Sequence, residues 1–244
     1  MANLADIEDI SLLYDYYDTT SKHVGQFEVG QIVFAPVVYT DRRSNLYEVN
    51  RSDPTSHRSV TFKFRPLSDK TDFHKKPERL PIAALALGET EELLALKAKK
   101  RPCLILAKVD GVDHNSLPEG VQRNKAMNAF DKAYLLAPIY SVSNGHKDSH
   151  FGPIMTARIK CMMYPEFVYC PKNSPTLDIP GVIRLDRFFW SYLIACSEPT
   201  PLYLSKEMMG VCWSQIKVLS GERPSQNYSD LRDLLLSELP DECK

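Results

Sequence analysis

Apolar residues along the chain gather into short runs separated by polar loops, and the period of each run predicts an element. Gly30-Gln31-Ile32-Val33-Phe34-Ala35-Pro36 is apolar almost throughout and bracketed by Gly30 and Pro36, which predicts a central strand. Val60, Phe62 and Phe64 alternate with Thr61, Lys63 and Arg65, the pattern of a half-exposed strand. Leu46 to Val49 can pair with it across the turn signal Ser52-Asp53-Pro54. Cys103 to Leu106 reads as a buried strand, with Pro102 suited to its first residue because proline cannot donate to a ladder. Ala133 to Ser141 predicts another buried strand, Thr156 to Met162 an alternating one, and Gly181 to Phe189 a strand with a charged face. Pro81 to Leu96 fits either a helix start or a strand, and a short helix is expected near Gly120 to Phe130.

Helical spacing appears at both ends. Ile7, Ile10, Tyr14 and Tyr17 fall on one face and predict an amphipathic helix from about 5 to 17. Ser205 predicts the cap of a helix to about Leu219, with Met209, Cys212, Ile216 and Leu219 as its apolar stripe. Ser229 is expected to cap a last helix through Leu239. Several strands with loops between them, followed by helices, give a mainly β chain with C-terminal helices (α+β), folded as a small barrel or a curled sheet. The 244 residues read as one domain: an acidic helix in 1–20, a basic insertion at 41–98 between the first two core strands, and helices over 205–239.

Charge refines this picture locally. The net charge of −1 gives no global pull toward nucleic acid or an anionic membrane. Residues 41–79, however, hold ten Lys or Arg against six Asp or Glu, whereas residues 1–20 hold five acids and no base. Aromatic residues interleaved with bases suit single-stranded nucleic acid, because bases stack on rings while cations track phosphates. The acidic start could equally pack on the body or cover a basic groove. No apolar run is long enough to span a membrane. The acidic N-terminus does not read as a signal peptide. Six cysteines without Cys-x-x-Cys spacing favour buried thiols in a reducing cytoplasm over a zinc site or a disulfide framework.

The candidate chemistry centres on Lys99-Lys100-Arg101-Pro102. Arg101 is a permanently charged fork at the mouth of a strand, suited to a phosphate. Arg42, Arg43, Arg51 and Arg58, with Lys99 and Lys100, are candidates for tracking nucleic-acid phosphates. Cys103 is a poor nucleophile, since an apolar strand raises a thiol's pKa. His146 and His150 are four apart beside Asp148, but they follow Ser143-Asn144-Gly145, so a loop is expected there rather than a metal-binding helix. There is no Gly-rich phosphate loop and no serine-hydrolase elbow, and no cofactor is expected.

The order Gly30-Gln31-Ile32-Val33, Arg101-Pro102-Cys103-Leu104-Ile105-Leu106, Ala137-Pro138-Ile139-Tyr140-Ser141 and Gly181-Val182-Ile183-Arg184-Leu185-Asp186-Arg187 resembles the MazF/PemK family of toxin ribonucleases. The helix from Ser205 resembles that family's C-terminal helix, and the match spans about half of the chain. The resemblance implies an SH3-like barrel, metal-independent cleavage of single-stranded RNA, a homodimer, and an antitoxin protein that blocks the RNA groove. It gives Arg101 a catalytic role. The family's usual Thr at the end of the third strand is matched here by Tyr140, followed by Ser141, so those two are the candidate partners of Arg101. The alternative reading is a non-catalytic relative that binds nucleic acid or protein through the same groove.

Overall fold

A computed structural model describes residues 9–20, 26–39, 44–51, 53, 60–74, 90–111, 132–142, 151–193 and 196–244. The chain divides into two compact units, one of residues 37–99 and one of residues 1–36 with 100–244. Among the described residues the architecture is mainly β with three α-helices, in agreement with the α+β expectation.

In the larger unit the strands are β1 (Tyr17–Asp18), β2 (Gln31–Val38), β6 (Ala98–Val109), β7 (Ala133–Ser141), β8 (Phe167–Cys170), β9 (Gly181–Arg184), β10 (Phe189–Ser191) and β11 (Glu198–Leu204). Strands β2 and β6 each cross the boundary between the units. The strands form one curled sheet in the order β1-β11-β2-β6-β7-β9-β8, with β10 also pairing β7. Strand β7 organises the sheet. One of its edges carries β6, and the other carries β9 at Ile139–Ser141 and β10 at Tyr134–Leu136. The helices are α1 (Pro153–Lys160), α2 (Lys206–Leu219) and α3 (Gln226–Ser237). Ile32, Leu104, Ala137, Ile139 and Ile183 from the sheet meet Met208, Cys212, Tyr228 and Leu231 from the helices in one buried cluster. That apolar burial is the main stabilising term of the fold.

The smaller unit holds a three-stranded antiparallel sheet of β3 (Asn45–Arg51), β4 (Val60–Pro66) and β5 (Leu93–Ala95), in the order β4-β3-β5. The expected hairpin is present, with Tyr47 opposite Phe64 and Val49 opposite Phe62. Leu93 to Ala95 resolves the open reading there as a strand. Asp72, almost fully buried, accepts from both terminal nitrogens of Arg65 and from the Ser68 amide, tying the end of β4 to the following turn.

Several expectations are corrected. Among the described residues the N-terminal segment opens with a 3-10 helix at Ile10–Leu12, Asp9 accepting from the Ser11 amide, so residues 9–17 do not form the expected amphipathic helix; residues 5–8 of that expectation lie outside the described residues. Tyr17 is instead extended and pairs with Leu204, while its hydroxyl donates to the Pro171 carbonyl. Residues 156–160 are helical, because Pro153 stands in the first turn, where its missing N–H costs nothing. The buried stripe of α2 is Met208, Val211, Cys212 and Gln215, one position off the expected one, and Leu219 is exposed. Ser205 does cap α2, accepting from the Met208 amide at 3.1 Å. Helix α3 is capped by Ser225, four residues before the expected Ser229. The candidate helix near 120–130, residues 81–89 and the His146–His150 pair lie outside the described residues. Among the described residues, no helix is long and apolar enough to cross a membrane and no cluster of potential metal ligands occurs.

Candidate functional site

Arg101 lies inside β6 and not at its mouth, because the strand begins at Ala98. Ladder pairing with β7 starts only at Cys103, opposite Pro138, so Pro102 precedes the first paired residue and forfeits no bond to β7 there. Beyond Pro102, Cys103 to Leu106 are fully buried, as their apolar run requires. Burial pushes the Cys103 thiol up to about 12, so it stays protonated and is no nucleophile near neutral pH.

Tyr140 stands near the end of β7, opposite Val182 of β9. The Arg101 guanidinium carbon lies 4.4 Å from the centre of the Tyr140 ring, a close cation–π contact. Two further arginines share that ring. Arg184 and Arg187 each place their guanidinium carbon 5.8 Å from its centre. Arg184 also lies 4.8 Å from the centre of the Phe167 ring, directly opposite it on β8.

The local fold explains how these two arginines arrive. Residues 181–189 are not one continuous strand as the sequence predicts. A 3-10 turn at Leu185–Arg187 separates β9 from β10. Leu185 is fully buried and its amide donates to the Glu166 carbonyl at 2.9 Å, which pulls the backbone out of line. Asp186 accepts from two nitrogens of Arg184 two residues earlier, the Nε bond being 2.7 Å, and so fixes the turn. Gly181 permits the close approach of β9 to β7. A Cβ there would lie 2.6 Å from Ile139 Cγ2 and 3.2 Å from the Tyr140 carbonyl oxygen.

The predicted site residues therefore separate. Arg101 and Tyr140 come together. Ser141, opposite Gly181, projects to the other face of β7 from Tyr140, alongside the core residue Ile139. Lys100 is ion-paired with Glu198 of β11, which offsets its charge, and Lys99 is exposed on the same strand. Arg51 ends β3, while Arg42, Arg43 and Arg58 lie outside the described residues. Arg184, Arg187 and Phe167 were not among the sequence candidates. The signal available for the first two was the charged end of the 181–189 segment, whose break into strand, turn and strand depends on the buried Leu185.

Three guanidinium groups and one carboxylate around a single ring form a strongly cationic locus. A guanidinium stacked on a ring keeps its N–H donors in its own plane, aimed past the ring edge. Donors from more than one guanidinium suit the oxygens of a phosphodiester. No protein-family model matches the chain, and no match was found among curated proteins or solved structures.

Proposed function

We propose that the chain is a MazF/PemK-like endoribonuclease that cuts single-stranded RNA without a metal, on an SH3-like barrel built around β7. The observation that supports it is the convergence of Arg101 and Tyr140, the two positions that the motif order singles out, with their 4.4 Å stacking contact. In this reading the RNA 2′-OH attacks the adjacent phosphorus and expels the 5′-oxygen. Arg101 stabilises the charge that builds on the phosphoryl oxygens. The Tyr140 hydroxyl supplies a hydrogen bond to the reacting group, and Arg184 and Arg187 hold the flanking backbone. The same reading carries a cytoplasmic setting, an antitoxin protein as partner, and a homodimer.

A second reading is a non-catalytic RNA-binding relative. It is favoured by the large Tyr140 ring, which serves here as the bed for arginines, and by Asp186, whose carboxylate is taken up by Arg184. One experiment separates the two. Purified protein and its Arg101→Ala variant are incubated with a long single-stranded RNA in EDTA. The nuclease reading expects discrete products from the parent protein and a loss of rate of about 100-fold or more in the variant. Salt-sensitive binding without cleavage would select the second reading. Neither cleavage nor binding would overturn both.

A further inference from the structure

We propose that the smaller unit carries a separate base-stacking platform for single-stranded RNA, formed by Tyr47, Phe62 and Phe64 on one face of the β3–β4 hairpin. The ladder sets their positions. Tyr47 is opposite Phe64, and Phe62 is two residues from Phe64, so all three project from the same face. The Tyr47 ring centre is 5.3 Å from that of Phe64 and 6.4 Å from that of Phe62, with interplanar angles of 54° and 86°. The rings thus form one contiguous surface whose faces point in different directions. Each ring stays open to solvent, at 42%, 54% and 57% exposure for Tyr47, Phe62 and Phe64. Large aromatic side chains are normally drawn inside, and a cluster held open on a sheet face is how sheet-based RNA modules stack unpaired bases.

Charge selects the occupant. Residues 37–99 hold 12 Lys or Arg against 9 Asp or Glu, while the rest of the chain holds 18 against 22. The unit that carries the rings is thus net positive, by three, within a chain whose net charge is −1. An apolar protein surface would gain nothing from that excess, whereas a single strand supplies both phosphates for the cations and π-faces for the rings. Arg65 serves the fold and not the strand, because it is held by Asp72 and Glu48 on the opposite face. This platform does not depend on cleavage at Arg101.

The test uses the full chain and fluorescence anisotropy with two labelled probes that resist cleavage: a 12-nucleotide 2′-O-methyl oligouridine, and an abasic 2′-O-methyl strand of the same length. The parent protein is expected to bind the base-bearing probe at least about 10-fold more tightly. The Phe62→Leu/Phe64→Leu pair, which keeps an apolar surface but removes the rings, should lose about 5- to 100-fold on that probe and nothing on the abasic one. The Phe62→Tyr/Phe64→Tyr pair should bind like the parent. Arg101→Ala should leave the ratio between the two probes unchanged, which separates this proposal from the nuclease reading. Equal affinity of the parent for both probes would overturn it, whatever the variants do. So would a parallel loss on both probes in the leucine pair, or a ratio that collapses in Arg101→Ala.

Discussion

Stacking of Arg101 on Tyr140 joins neighbouring strands, and Gly181 sets how closely β9, which carries Arg184, can lie against the backbone of Tyr140. An alanine there would drive its methyl group to 2.6 Å from Ile139 Cγ2, on a branched side chain that is itself 3% exposed. Gly181→Ala is expected to cost about 1–3 kcal/mol in urea unfolding, as overpacked core positions do. It should also weaken RNA binding by moving β9 and its arginines. Tyr140 permits a sharper dissection. Tyr140→Phe keeps the ring and removes the hydroxyl, so RNA affinity should stay within about twofold while any cleavage rate falls. Tyr140→Leu removes the bed for three guanidinium groups and should reduce both. Equal loss of binding in the two variants would show that the hydroxyl, and not the ring, holds the RNA.

At the scale of elements, the long runs were readable and the interruptions were not. Strand β7 and the Cys103–Leu106 part of β6 follow from uninterrupted apolar runs, and α2 follows from Ser205 and helical spacing. Strand β11 is hidden in the sequence because Pro199 and Pro201 argue against an inner strand. The structure accommodates them with a register shift between Pro199 and Tyr203. Side chains also stitch β11 to β2: the Gln31 amide donates to the Thr200 carbonyl at 2.8 Å and the Thr200 hydroxyl to the Ile32 carbonyl at 2.6 Å. Of the site, Arg101 and Tyr140 were legible from motif order, whereas Arg184 and Arg187 depend on a turn made by the Arg184–Asp186 pair. That pair carries its own prediction. Asp186→Asn keeps the shape but removes the charge, so anion affinity should rise, while loss of affinity would mean that the turn itself had opened. Ser225→Ala removes the cap of α3 and should cost about 1 kcal/mol in thermal or urea unfolding.

For the whole molecule, buried thiols set an alkaline limit. Burial pushes Cys103, Cys170 and Cys212 up to about 12 from an ordinary value of 9.0. These groups stay protonated in the folded chain while the unfolded chain has already lost its protons. Their contribution to stability is therefore full below about pH 9 and falls as pH rises from 9 toward 12. Each should remove about 1.4 kcal/mol per pH unit across that window, a decline that urea midpoints at pH 8, 9 and 10 would reveal.

The short β1 has a consequence for how the protein behaves in company. Its two residues cover the C-terminal end of β11, at Tyr203 and Leu204, and the Ser205 amide donates to the Tyr16 carbonyl beside them. Removing residues 1–20 would bare the hydrogen-bonding groups at the Tyr203–Leu204 end of β11 and offer them to any neighbouring chain. Such a truncation is expected to self-associate, visible as larger species in light scattering. Any change in its RNA affinity would then report clumping of the sheet edge before it reported the loss of an acidic cover.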